Sequence, residues 1–417
     1  GGHRLRHRPS APGGRVGTSA GPRDFVRLKR DLSSIQSAIR DARLGGWLLY
    51  DLHARNDVTA SLVGMGDLSR RFFVHIPAEG EPVAIIHGIE QAPWDAWPWR
   101  KRVYVSWNEL SEALAETLRG AGTVAMEYSE MCAVPAVDLV PAGIVELVRA
   151  TGASVVSSGN LITRFYAVWS SAQLHSHRTA SAVLAQVAQA TFHRIAQEVQ
   201  QGREVTEVQA RNWVLADLAD HGFGTGADTI VATGRNAADP HYAPQGQGAS
   251  FRRGDVILLD LWSKESEETV YADQTWMAYL GGTVPERAAS LFAVIRNARD
   301  AAVEFVSDRW QAGDPIRGGE VDDVARNVIR DAGYGEYFIH RTGHSIDRST
   351  HGMGPNIDNY ETNETRLIIP GVGFSIEPGI YIPGEIGLRT EINMYVGDDG
   401  PEVTTPDPQD AMTTLLP

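Results

Sequence analysis

Four carboxylates and one imidazole carry the chemistry that this sequence can do. Glu377 and Glu391 each sit in a short apolar, β-prone run, GFSIEPGIY and LRTEINMYV. The spacer IPGEIG between the runs reads as a turn that folds two strands together, so that both acids face one point. A buried carboxylate without a cation is costly. Asp260, at the end of VILLD, and Asp273, in VYADQTW, stand on either side of the charged turn KESEE, so a second hairpin sets two more acids side by side. Like charges a few ångströms apart push each other's pKa up, and two divalent metal ions would resolve the repulsion. His344, which follows a glycine in HRTGHSID, supplies the imidazole. This oxygen-rich set suits Mn²⁺, with Co²⁺, Fe²⁺ or Zn²⁺ as alternatives, rather than a structural zinc. Bridging carboxylates would hold the ions roughly 3.5–4 Å apart, the spacing at which a shared hydroxide attacks a carbonyl or phosphoryl centre.

The elements that position these residues follow from periodicity. Residues 1–23 are rich in Arg, Gly and Pro without an apolar core and read as a disordered tail with no secretory h-region. From residue 24 a helical pattern gives way to the strand-like runs GWLLYD, RFFVHI, PVAIIHG and RVYVSW. Helices then alternate with the strands GTVAMEY and ASVVSS, which makes 24–165 a smaller N-terminal α/β domain. No chemistry-bearing cluster falls in it, so its expected role is structural and oligomeric. Residues 166–417 read as helix pairs alternating with antiparallel strands, an α+β domain that carries all five candidate ligands.

Composition narrows the partners. A net charge of -14 disfavours nucleic acid and anionic membranes, because a phosphate-binding surface has to be basic. No apolar run approaches the roughly eighteen residues a membrane span needs. The lone Cys132 excludes an intrachain disulfide and a cysteine metal cage, and it fits a reducing compartment, here expected to be cytoplasmic.

The words GRNAADPHY, ILLDLW, YADQTW, HRTGHSID, HGMGP, FSIEPGIY and LRTEI, spread over residues 169–396, resemble the pita-bread metallopeptidases: Xaa-Pro dipeptidase (prolidase), Xaa-Pro aminopeptidase and methionine aminopeptidase. The N-terminal α/β domain resembles that of the proline-specific members. The resemblance implies an α+β pita-bread catalytic domain, a homodimer, and hydrolysis of Xaa-Pro bonds in short proline-containing peptides through a metal-bridging hydroxide. Under it, Asp260 chelates one metal, Asp273 and Glu391 bridge both, and His344 and Glu377 complete the second, with Glu377 also the general base.

The same resemblance gives roles to further residues. His241 faces the substrate and assists the leaving nitrogen, His351 polarises the scissile carbonyl or stabilises the oxyanion, and His340 lines the proline pocket. Arg389 pairs with a metal-bound aspartate, Tyr381 stands near the site, and Arg366 could bind a terminal carboxylate. The pattern departs at Trp262 and Trp276, where the family usually has Gly and Arg, and in a longer gap between the aspartates. Alternatives on the same fold are a metal-dependent lyase, a creatinase-like amidinohydrolase, and an inert peptide-binding module.

Overall fold

The computed structural model describes residues 25–65 and 68–417, so the expected disordered tail lies outside the described residues. The first helix forms as α1 (Val26–Asp41), which buries Leu28, Ile35, Ala38 and Ile39 in one stripe. β1 (Gly46–Asp51), β2 (Phe72–Pro77), β3 (Val83–His87), β4 (Arg100–Tyr104), β5 (Thr123–Met126) and β6 (Ser154–Ser157) make one mixed sheet in the order β4-β3-β2-β1-β5-β6. All six residues of β1 are buried because the sheet is covered on both faces. Trp47 and Leu49 point to α1 and α2 (Asp57–Val63), while Leu48 and Tyr50 point to α3 (Trp107–Thr117) and α4 (Ala142–Arg149). A short α5 (Gly159–Ile162) leads out of this layer.

The long α6 (Ser171–Gln200) begins at a capping box, in which Ser170 and Gln173 exchange side-chain and backbone hydrogen bonds. α7 (Glu207–Asp220) repeats the device with Thr206 and Gln209. This pair packs Leu184, Phe192 and Val214 against Leu259, Leu261 and Trp276 of an antiparallel meander, β7 (Thr225–Thr233), β8 (Val256–Lys264) and β9 (Ala272–Tyr279). A second pair, α8 (Glu286–Ala312) and α9 (Gly318–Asp331), covers the remaining strands. Of these, β10 (Ile316–Arg317) pairs with β12 (Leu367–Ile368), and β11 (Ser345–Ile346), β13 (Val372–Ile376), β16 (Ile392–Gly397) and β17 (Gly400–Val403) form one sheet. β14 (Gly379–Ile382) and β15 (Ile386–Arg389) form a hairpin, and β18 (Thr413–Thr414) runs beside β9.

The glutamate strands form the single hairpin expected from the sequence, with one register running through it and its ladder split in two. β13 pairs with β16 up to Ile376 and Ile392, and β14 pairs with β15 from Gly379 and Arg389. Glu377-Pro378 and Thr390-Glu391 fall in the break between the two ladders. Pro378 has no N–H to donate, so the ladder is interrupted there, although its carbonyl still accepts from the Thr390 N–H at 3.3 Å. Each glutamate therefore sits where a strand leaves one sheet for another.

Candidate metal centre

In the meander, Asp260 stands opposite Thr275 and Ile230, and Trp262 stands opposite Asp273 and Asp228. Side chains alternate across a strand, so Asp260, Trp262, Asp273 and Thr275 share the face that does not meet α6 and α7. A single bridge between Thr275 and Glu391 stitches this face to the break in the glutamate strands. The His344 N–H bonds Ser375 Oγ at 3.0 Å, and the Glu377 N–H bonds the Thr342 carbonyl at 2.7 Å. These ties bring segments far apart in the chain to one cavity of about 620 Å³. It is lined by Asp260, Asp273, His344, Glu377 and Glu391 together with His241, His340, His351 and Arg389.

The electrostatics of this arrangement call for cations. Ligand-capable atoms of Asp273, His344 and Glu391 lie within 4.8 Å of one another, and all three residues are buried. Burial, then the neighbouring carboxylates, push Asp273 and Glu391 well above the usual carboxylate range. Asp260 rises to about 6, chiefly through burial and against the pull of Arg389. His344 donates Nδ1–H to the Ser345 carbonyl at 3.1 Å, which leaves the Nε2 lone pair free. Burial drives this imidazole down to about 3, so it is neutral. Its Nε2 nevertheless stands 3.6 Å from Asp273 Oδ2 and 3.4 Å from Glu377 Oε1, acceptor against acceptor. Among the described residues, Asp260 Oδ1 and Asp273 Oδ1 are buried without a hydrogen-bond partner. Unpaired buried carboxylate oxygens, together with an imidazole lone pair set against two further carboxylate oxygens, fit divalent metal ions.

Around the acids runs a chain of donors. Arg389 donates to Asp260 Oδ2, to Thr275 Oγ1 at 3.0 Å and to Tyr381 Oη at 3.1 Å. Thr275 passes its hydroxyl proton to Glu391 Oε2 at 2.8 Å. Tyr381 donates to His340 Nε2 at 2.8 Å, and His340 donates from Nδ1 to the Arg341 carbonyl at 2.7 Å. His340, held down at about 4 by burial, is a neutral acceptor in this chain. Tyr381 itself is buried behind the wall rather than lining the cavity, and it touches the cavity through His340 and Arg389. The His351 ring meets the His344 ring edge-on, with centroids 4.4 Å apart.

The expectation for Arg366 is corrected. The residue does not line the cavity, and its buried guanidinium is engaged by Glu364 and by the carbonyls of Met353 and Gly354, at 2.6 and 2.7 Å. Trp276 also lies elsewhere, in the apolar layer under α6 and α7, whereas Trp262 lines the cavity.

Several positioning residues carry no local signal in the sequence. Asp322 accepts the Thr342 N–H and hydroxyl, at 3.0 and 2.6 Å, and so fixes the segment between His340 and His344. Arg326 braces Asp322 and bonds the carbonyls of Phe338 and His340. Asn393 clamps the backbone of Asp273 with two hydrogen bonds of 2.9 and 2.6 Å.

Glu207 anchors the loop that carries His241. Its buried carboxylate accepts from the N–H of Thr233 and Ala249, Asn236 Nδ2 and Tyr242 Oη, at 2.9, 2.8, 2.9 and 2.7 Å. A Gln at 207 would turn one acceptor into a donor facing donors, at a cost of about 1–3 kcal/mol. Glu207→Gln is therefore expected to speed amide hydrogen exchange across residues 234–250 by tenfold or more while exchange in β8 stays slow. Unchanged exchange in the loop would refute the anchoring role.

Residues 176–398, over half of the chain, match Metallopeptidase family M24. An Xaa-Pro dipeptidase of Lactobacillus delbrueckii subsp. lactis is 38% identical over 176 residues, so the match spans 42% of this chain and under half, 44%, of that relative's length. A probable dipeptidase PepE of Mycobacterium tuberculosis is 27% identical over 381 residues, 89% of this chain and 92% of its own. The crystal structure of dipeptidase PepE from Mycobacterium ulcerans superposes with a TM-score of 0.70 at 24% identity, covering 95% of this chain and 100% of that one, which shows a shared pita-bread fold. From the matched span and the cluster of acids and imidazole it contains, the chain belongs to metallopeptidase family M24.

Proposed function

We propose that this chain is a dinuclear metal-dependent peptidase that hydrolyses Xaa-Pro bonds in dipeptides or short peptides. The observation that carries the reading is the convergence of Asp260, Asp273, His344, Glu377 and Glu391 on one cavity, with two aspartate oxygens left without partners. The relatives named as Xaa-Pro dipeptidase and dipeptidase support the substrate class. Divalent ions held by these residues supply a Lewis acid that polarises a carbonyl and acidifies water.

The protein's own groups do the rest. Glu377 Oε1, oriented by the Ser375 hydroxyl at 3.1 Å, takes the proton of the attacking water. His351 lies beside His344 at the mouth and donates to the oxygen of the scissile carbonyl as charge builds there. His241, on the Glu207-anchored loop, hands a proton to the leaving imide nitrogen. Arg389 and His340 are fixed by Tyr381 and bound the far side of the cavity, where the proline ring fits. Within this reading the metal is Mn²⁺, the assembly a homodimer and the compartment cytoplasmic, to which the exposed free thiol of Cys132 is suited.

The test is hydrolysis of Xaa-Pro dipeptides and tripeptides by Mn²⁺-loaded protein beside creatine and unrelated dipeptides, with elemental analysis of the same preparation. Selective cleavage before proline is the expected result. Turnover of creatine, or none of any peptide by fully loaded protein, would overturn the reading.

A further inference from the structure

Trp262 sits among acids and can do none of their chemistry. Its indole offers one N–H donor and no acceptor, so it can neither hold a cation nor accept a proton. Yet the strand register puts it directly opposite Asp273 and two residues from Asp260, on the same face as both. At such a position a side chain acts through its shape.

The surrounding space indicates what that shape does. Trp262 and Ile230 line the cavity of about 620 Å³ that holds the acids, where Ile339 adds a further apolar surface. The same two residues also line a second cavity, of about 350 Å³, bounded by Val208, Val231, Tyr242 and Pro244 on one part of its wall and by Glu207, Arg211 and Asp228 on another. Trp262 and Ile230 are thus the common wall between two spaces. The indole is half-buried and packs against the apolar cluster of Trp169, Val270, Tyr271 and Ile346, so it is backed and cannot swing away freely.

We infer that Trp262 is a specificity-determining wall that limits the side chain of the residue before proline to a small one, such as Gly or Ala. This rests on the Xaa-Pro reading above. The scissile carbonyl belongs to that residue and must face the acids, so its side chain, whose Cβ is two bonds from the carbonyl carbon, is held near the face that carries Trp262. A large aromatic or branched side chain there meets the indole. Removing the indole would join the two cavities and admit it.

The experiment compares wild-type, Trp262→Ala and Trp262→Phe proteins, loaded with Mn²⁺, on Gly-Pro, Ala-Pro, Leu-Pro and Phe-Pro. Trp262→Ala is expected to raise the ratio of kcat/KM for Phe-Pro over Ala-Pro by about tenfold or more, with Trp262→Phe in between. A ratio within twofold of wild type would overturn the proposal, and so would a selective loss of Phe-Pro turnover, which would make the indole a stacking surface. Calorimetric binding of reduced-amide analogues of Ala-Pro and Phe-Pro gives a readout independent of turnover. If wild-type protein cleaves none of the dipeptides, the peptidase reading has failed. The wall then stands only if the Phe analogue tightens relative to the Ala analogue in Trp262→Ala, and falls if it does not.

Discussion

Glu377→Gln is expected to lower kcat on a cleavable Xaa-Pro dipeptide by about a thousandfold, within the range assigned to a positioned acid-base group. That corresponds to roughly 4 kcal/mol of lost transition-state stabilisation. The substitution keeps the shape of the side chain, and its amide oxygen can still accept from the Ser375 hydroxyl that now bonds Glu377 Oε1 at 3.1 Å. The backbone tie from residue 377 to the Thr342 carbonyl at 2.7 Å is untouched. The fold should therefore survive, and KM should change far less than kcat. Steady-state kinetics with circular dichroism and elemental analysis of the variant check the result. Turnover within fivefold of wild type would remove Glu377 from the base role. Loss of metal at the same time would move it to a purely ligating one.

Asp273→Asn is expected to reverse the stability ranking of the two proteins according to metal content. In metal-stripped protein, Asp273 is held well above the carboxylate range by burial and by the charges of Asp260 and Glu377, Glu391 by burial and by the charges of Asp273, Glu377 and Asp260, and Asp260 rises to about 6. A folded-state pKa above the unfolded value contributes stability that is complete below about pH 4 and lost as pH rises through the folded value. Stripped wild type should therefore lose stability between pH 5 and pH 8, at on the order of 1 kcal/mol for every tenfold by which folding weakens the acidity of one of these carboxyls. The Asn variant removes one of the opposed charges, so at pH 8 in chelator it should melt several degrees higher than wild type. With Mn²⁺ at a hundred times its Kd, wild type gains about 2.7 kcal/mol, and the variant should forfeit most of that gain. Thermal melts at both pH values, with chelator and with Mn²⁺, give the four numbers needed. A variant less stable than wild type in chelator at pH 8 would show that Asp273 is not under repulsion.

Much of this site was legible because its chemistry and its apolar patterning coincide. Asp260 and Asp273 lie inside strands whose alternation leaves one face for helices and one for acids, and both readings come from the same residues. The hairpin expected around IPGEIG formed along its whole length in one register, but a local turn signal cannot reveal that its ladder is interrupted at Pro378 or that its stems join a different sheet from its tip. Asp322 and Arg326 are an i,i+4 pair that in sequence is indistinguishable from an exposed helix pair, although Asp322 is fully buried. Glu207 reads as one more acidic residue at a helix start. Its four donors come from a loop whose path no periodicity encodes. Arg366 misled for the converse reason, since a lone arginine near a motif gives no indication of whether its partners are already supplied.

That buried guanidinium also has a bearing on how the two halves of the chain depend on each other. A Cβ on Gly159 would come within 2.8 Å of the Arg366 side chain, and the Leu367 N–H reaches Asn160 Oδ1 at 3.3 Å. Met353, whose carbonyl Arg366 holds, packs into the apolar layer of α1 and α2. The stretch that bears His351 is thus propped by the layer built on the first mixed sheet. Without the mixed sheet and helices of the first layer, the protein would keep Asp260, Asp273, Glu377 and Glu391 and yet lack the buttress beneath that histidine, so this layer is better regarded as scaffolding for the reaction than as an accessory attached to it.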